Sequence, residues 1–344
     1  MGTSLSDIIK ADTVSLNDLS GRKIAIDAFN TLYQFLSSIR QPDGTPLMDR
    51  KGRITSHLSG LFYRSLNLLE KGIFPIYVFD GTSPELKEDE IERRREIRKT
   101  AKEEWETAKA EGRIEDARKA AQASSSLTSD MVDESKDLVR ALGIPVIQAP
   151  SEGEALAAQM TQADMVWASA SQDYDSLLYK CPRTIRNLSI SGRRRISRTK
   201  SYKTISPEVI DLDLNLRLLE ISREQLIDIA ILVGTDYNDG VRGVGPKTAL
   251  RLIKKHDSID KIVSEGIKEI DFPYEEIRNI FLNPPTADIS EPEWTNPNYE
   301  RIKELLVEQH DFSENRINSS LERLRDAQQE LADKASQSSL TDFF

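Results

Sequence analysis

Residues 23–27 read Lys-Ile-Ala-Ile-Asp, and residues 75–81 read Pro-Ile-Tyr-Val-Phe-Asp-Gly. Each is a short apolar run that stops on an acid. Continuous apolar runs of this length fit strands buried on both faces. Two further runs share the feature. Residues 144–147 lead to Ser151-Glu152-Gly153-Glu154, and residues 165–168 lead to Asp173-Tyr174-Asp175. Helical segments separate the runs, as at 56–70 and 133–142. This alternation predicts an α/β protein whose central, parallel-rich sheet is flanked by helices. In such sheets ligands bind beyond the carboxyl ends of the strands. Here those ends carry acids four times over.

Between the second and third runs, residues 85–121 hold twelve acids and eleven bases. A helix with no apolar face gains little by packing, so this segment is expected to stand away from the core as a hairpin or arch. Ser124-Ser125-Ser126 is expected to end it. Farther on, a helix at 225–233 leads into Gly234-Thr235-Asp236-Tyr237-Asn238-Asp239-Gly240-Val241-Arg242-Gly243-Val244-Gly245-Pro246-Lys247, and a second helix runs to about His256. Pro246 suits a helix start, and the glycines before it make a helix–loop–helix whose loop amides face outward. Residues 284–298 form a Pro-rich surface connector, followed by helices and a polar tail.

The chain has 344 residues, enough to bury a sizeable core. Its single cysteine, Cys181, excludes a disulfide framework and a Cys-rich zinc site. No apolar run is long enough to span a membrane and no signal-peptide pattern opens the chain, so a cytoplasmic location is expected. The net charge of −10 speaks against nucleic acid as a partner. Its distribution does not: Arg93, Arg94, Arg95, Arg98 and Lys99 cluster, as do Lys247, Arg251, Lys254 and Lys255. Eight bases and no acids occupy 183–207. Local basic patches bind phosphates even on an acidic protein.

Asp27, Asp80, Glu152, Glu154, Asp173, Asp175 and Asp236 are seven acids at the ends of apolar elements. Each has an ordinary explanation alone. Asp80-Gly81 is a turn pair, Asp236 sits in a Gly-rich turn, and Ser151 with Glu154 makes a capping box. Together they are expected to converge at one sheet edge, where they repel unless cations neutralise them. All-oxygen ligands select Mg²⁺ or Mn²⁺ over zinc. The histidines His57, His256 and His310 are scattered, which disfavours a His-based site. Two such ions close together suit in-line displacement at phosphorus. Lys87 and Arg94, seven apart on one helix face, either orient a phosphodiester or form part of a solvated face.

IAIDAFNTLYQFL, TSHLSGLFYR, PIYVFDG, APSEGEALAAQM, SQDYDSLL and LVGTDYNDGVRGVGPKTAL, in this order and spacing, resemble the blocks of the flap endonucleases, structure-specific 5′ nucleases of replication and repair. The resemblance covers essentially the whole chain and is to the archaeal form. It implies a PIN-like nuclease fold with a helical arch and a helix–two-turn–helix element. One nuclease domain would span 1–335: an N-terminal region to about 98, the arch over about 85–130, an internal region over about 131–260 and a helical region over about 261–335. Residues 336–344 would be a flexible tail.

The resemblance also implies roles. Asp80, Glu152, Glu154 and Asp173 would surround one Mg²⁺, and Asp173, Asp175 and Asp236 the other, with Asp27 acting through water. Lys87 and Arg94 fall on the family's basic catalytic positions. Tyr33 matches an aromatic that stacks on the unpaired base, and Gly2 a small residue close to the site. Gly243, Gly245, Lys247 and Thr248 belong to the loop that grips the duplex, often through K⁺. Arg40 is expected to contact DNA. Thr55, Phe312 and Arg316 fall near a pocket for a one-nucleotide 3′ flap, although His310 stands where lysine is common. Gln337, Leu340, Phe343 and Phe344 match the sliding-clamp (PCNA) box. The expected substrate is branched DNA with a 5′ flap and the expected state a monomer.

Other readings fit less. A phosphatase or more general metal-dependent nuclease has no use for the arch, the duplex loop and the clamp box. A P-loop needs Gly-Lys-Thr, and Pro246 precedes Lys247-Thr248. A non-catalytic flap-DNA or clamp adaptor has no need of all seven acids.

Overall fold

The computed structural model describes residues 3–41, 43–189, 192–195 and 202–341, with backbone alone at 85, 88, 89, 192–195, 202–204, 332 and 334–341. Gly2, Phe343 and Phe344 lie outside the described residues, as do the side chains of Gln337 and Leu340. The first half comprises β1 (Asp12–Thr13), β2 (Lys23–Asp27), α1 (Ala28–Ser38), α2 (Ser56–Glu70), β3 (Phe74–Phe79), α3 (Glu88–Ala110), α4 (Ile114–Ala123), α5 (Ser129–Ala141), β4 (Val146–Gln148), α6 (Gly153–Gln162), β5 (Ala168–Ala170) and α7 (Asp175–Leu178). The second comprises β6 (Arg183–Arg186), β7 (Gly192–Arg195), β8 (Tyr202–Ile205), β9 (Glu208–Asp211), α8 (Leu212–Leu219), α9 (Arg223–Val233), α10 (Pro246–His256), α11 (Ile259–Ser264), α12 (Tyr274–Leu282), α13 (Tyr299–Lys303), a π-helical stretch Glu304–Gln309 and α14 (Glu314–Thr341).

Seven strands form one sheet in the order β1-β9-β6-β5-β2-β3-β4. β6, β5, β2, β3 and β4 are mutually parallel, as expected from their helical crossovers. β9 pairs antiparallel with β6 and β1 with β9. Here the chain returns by the β7–β8 hairpin instead of a helix, which permits the antiparallel pair. That hairpin carries the basic stretch; its register pairs Arg193 with Thr204 and Arg195 with Tyr202.

Side chains alternate across the sheet. Ile24, Ile26, Tyr77 and Phe79 enter the core formed with α1, α2, α5 and the C-terminal helices. Ala25, Ile76 and Val78 face Leu156, Ala157 and Met160 of α6. A further core joins α7 to α9–α12. The third and fourth apolar runs are displaced from their strands. Pro145 lacks a ladder N–H, and β4 starts after it. Met165 and Val166 instead close the turn after α6, each donating its N–H to the Met160 carbonyl, and β5 starts at Ala168.

The arch is a hairpin of α3 and α4, turning at Gly112 with φ +70°. It does not stand wholly clear of the core. Ala101, Ala108, Ala117, Ala120 and Ala121 are buried. Against α4, a Cβ on Gly44 would lie 3.1 Å from Ala121 Cβ. Small side chains make a packing face in a segment whose charges suggest none. α14 continues across the expected tail boundary at 336 to Thr341, with no Gly or Pro to stop it.

Candidate active site

The parallel strands bring the acids to one edge of the sheet. Asp27 ends β2 and caps α1, accepting a hydrogen bond from Asn30 N at 3.0 Å. Asp80 follows β3, and its Oδ1 accepts from Gly153 N at 2.7 Å, which ties this loop to the start of α6. Glu152 and Glu154 flank Gly153. The capping-box reading fails here: Glu152 occupies the N-cap, with no side-chain capping bond. Glu154 Oε1 is buried without a hydrogen-bond partner. Asp173 Oδ2 accepts from Asn30 Nδ2 at 2.8 Å, and Asp175, opening α7, accepts from Thr3 N at 3.0 Å. Asp236 follows α9 in a turn where Thr235 Oγ1 donates to Asn238 Oδ1 at 2.8 Å.

Lys87 and Arg94 point into this edge. Lys87 Nζ lies 2.7 Å from Glu152 Oε2 and 3.3 Å from Asp236 Oδ2. Arg94 Nη2 lies 2.6 Å from Asp236 Oδ1, and its Nε lies 2.7 Å from Glu90 Oε1. The solvated-face alternative is therefore excluded for both. Three neighbours escaped the sequence reading: Asn30, Glu90 and Tyr237, whose ring centroid lies 5.9 Å from Lys87 Nζ. Tyr237 directly follows Asp236, the one signal that marked it.

The charges do not balance within the protein. Burial, then Glu152, pushes the Asp80 carboxyl up to about 6. Burial, then Asp173 and Asp236, pushes Asp175 up to about 7. Asp27 is raised well above the ordinary range by burial and by Asp80, and Glu154 by burial and by Asp175. Asp236 is the exception: burial opposes its charge, but Lys87 and Arg94 outweigh it and hold the carboxyl low. Among the described residues no three His, Cys, Asp or Glu side chains stand at the spacing to hold one metal ion. The donor chemistry nonetheless fits hard divalent cations: the oxygens are anionic and buried, one is orphaned, and several carboxyls are raised for want of positive charge.

The remaining candidates lie around this edge. Tyr33, on α1, is covered by Arg98 of the arch, Cζ 5.1 Å from the ring centroid. Arg40 is engaged within the protein, donating to Leu36 O, Gly44 O and Ser125 Oγ, each at 2.8 Å. Gly243 (φ +78°) and Gly245 are exposed, and a Cβ on either would meet nothing within 4 Å. Gly245 caps α10 with Pro246 behind it; Lys247 is exposed and Thr248 half-buried. Thr55 is buried at the start of α2, while Phe312 is half-buried and Arg316 exposed. No helix among the described residues is long and apolar enough to cross a membrane.

Comparison with known proteins agrees with this geometry. Residues 1–101 match the XPG N-terminal domain and residues 143–236 the XPG I-region. The chain is 52% identical over 336 residues to flap endonuclease 1 of Sulfolobus acidocaldarius, covering 96% of both chains. It is 54% identical over 316 residues to flap endonuclease 1 of Caldivirga maquilingensis, covering 91% of this chain and 90% of that one. The solved flap endonuclease-1 from Methanococcus jannaschii superposes with a TM-score of 0.71 at 40% identity, covering 95% of this chain and 98% of that one. The catalytic core of Rad2, solved in complex with DNA substrate, gives a TM-score of 0.71 at 25% identity, covering 94% of this chain and 100% of that one. The fold and its acid edge define a metal-dependent, structure-specific nuclease that hydrolyses DNA phosphodiester bonds. More narrowly, the chain belongs to the flap endonuclease 1 family.

Proposed function

We propose that this nuclease removes 5′ flaps, with 5′–3′ exonuclease activity, in Okazaki-fragment maturation and repair. The observation that carries the reading is the convergence of Lys87 and Arg94 on the seven-acid edge. Asp80, Glu152, Glu154 and Asp173 would hold one Mg²⁺, and Asp173, Asp175 and Asp236 a second, with Asp27 acting through water; Mn²⁺ is a possible substitute. When bound, the ions supply the charge that supports water attack and departure of the leaving oxygen. Lys87 and Arg94 then exchange carboxylate partners for the scissile phosphate, orienting it and stabilising its transition-state charge. Tyr33 offers its ring to the unpaired base near the cut, which requires Arg98 to leave that face. Gly2 is read as lying near the cut.

The 240–247 loop, with Gly243, Gly245, Lys247 and Thr248, is read as gripping the duplex backbone, with K⁺ at its carbonyls. Arg40, which donates to Gly44 O and Ser125 Oγ, is read as contacting DNA beneath the arch, and the arch as threading or clamping the 5′ flap. Thr55, Phe312 and Arg316 receive a one-nucleotide 3′ flap. Gln337, Leu340, Phe343 and Phe344 dock on a sliding clamp. The protein is read as an intracellular monomer that selects DNA by shape and bending.

The test is a 5′-labelled double-flap DNA beside single-stranded and 3′-flap controls, with Mg²⁺ or with EDTA. Mg²⁺-dependent release of the intact flap is expected. Binding without cleavage would mark a non-catalytic adaptor, and cutting of all single strands a general nuclease.

A further inference from the structure

A second polar cluster lies away from the acid edge, where the C-terminal segment meets a hairpin at 46–54 that is closed by an antiparallel bridge between Met48 and Ile54. His57 of α2 and His310 are shut off from solvent, as is the Asp49 side chain. Between the histidines stands Glu134 of α5: His310 Nε2 lies 3.1 Å from its Oε1 and His57 Nε2 3.5 Å from its Oε2. On the other side, His310 Nδ1 lies 3.4 Å from Asp49 Oδ2. All four ring nitrogens are close to charge or buried, yet none is aligned as a hydrogen bond. Arg53 donates to Asp49 at 2.7 Å and to the Gln309 carbonyl. Farther out, Arg50 N donates to Asp311 at 2.9 Å, and Arg301 bridges Asp137 and Glu304.

Of the two carboxylates, Asp49 thus faces one fixed cation, Arg53, and one proton on the histidines balances the other, Glu134. A neutral ring at 310 would turn a bare nitrogen towards one of its two carboxylates. We propose that His57, Glu134, His310 and Asp49 form a proton-held clasp that fastens the 304–312 segment to the 46–54 hairpin, and that rising pH opens it and weakens grip on a DNA 3′ flap. The flap half rests on the reading of Thr55, Phe312 and Arg316 given above. While the proton is in place, burial opposes the charge on Glu134, but His310 and His57 outweigh it and hold its carboxyl down at about 2.

The test uses the full-length protein between pH 6 and 9. Hydrogen exchange of the 304–312 amides, corrected for the intrinsic pH dependence, is expected to speed up by up to about tenfold per pH unit while the closed clasp keeps a proton that the opened segment has lost, and to level off once the closed clasp loses it too. Glu134→Gln, close in shape, is expected to flatten that slope, as is His310→Lys, which carries a fixed charge. Should the variants fold poorly, the wild type suffices, because its three histidines give three ring signals by NMR. A change with pH in the ring signals at the upper end of the interval where exchange accelerates is the expected mark of the clasp losing its proton. A flat wild-type profile, or an unchanged slope in Glu134→Gln, overturns the clasp. In parallel, the cleavage-rate ratio for double flaps with and without the 3′ nucleotide is expected to fall over the same interval. A sloped exchange profile with a constant ratio overturns the link to the 3′ flap and leaves the clasp standing.

Discussion

A methyl group on Gly153 would lie 2.7 Å from Asp80 Oδ1, inside contact distance. Gly153→Ala is therefore expected to push Asp80 off the Gly153 amide and to cost about 1–3 kcal/mol, as overpacking does. Denaturant titration reads the stability, and flap cleavage reads the misplaced acid. Lys87→Ala is expected to lower turnover by about 10²–10³, the usual range for losing one transition-state charge, and single-turnover rates check it. Asp175→Ala is expected to abolish cleavage and retain flap binding; unchanged turnover would remove Asp175 from the site. The raised carboxyls also fix a sign. Asp80 at about 6 and Asp175 at about 7 bind protons in the folded chain that the unfolded chain has released above its ordinary carboxyl range near 4. Stability of the metal-free protein should therefore rise as pH falls from about 7 to 4. Melting in EDTA at pH 8 and 5.5 tests this, and Mg²⁺ at pH 8 should restore what deprotonation removes.

Elements differ in how plainly the chain announces them. β2 and β3 were legible because each apolar run stops on its acid, and α2 matched residue for residue because its apolar stripe has helical period. The antiparallel strand β9 was not, since its partner is chosen by a basic hairpin with no apolar pattern. The arch was half legible: its polarity marked it as separate, while its alanines hid the seam under α4. That seam makes a prediction. Ala121→Leu has no room beside Gly44 and is expected to cost about 1–3 kcal/mol, loosening the hairpin from α1 and speeding limited proteolysis between 85 and 125.

For the whole molecule, affinity for DNA must overcome a net charge of −10. Binding is expected to weaken steeply with salt, with a log–log slope set by the phosphates neutralised, and Lys247→Ala should reduce that slope by about one. Deleting residues 337–344 should remove clamp stimulation and leave basal cleavage intact; persisting stimulation would refute the tail reading. The acid edge was legible because each acid follows a strand or helix that reads clearly. The His57–His310 cluster was not, because 253 residues separate rings that meet only once α14 is docked on α2.

The order of the sheet has a bearing on how the cell survives making this protein. The interior strand β2 is made early, yet the central strand β5 beside it pairs Ala168 with Ile24, and Asp236 comes after both. A ribosome-bound chain that has emerged only to β4 lacks Asp173, Asp175 and Asp236. Such a chain, like any fragment clipped there by a protease, is expected to leave DNA uncut. The edge of seven acids is thus complete only late in synthesis, and on the site reading given above the topology itself acts as a safety catch.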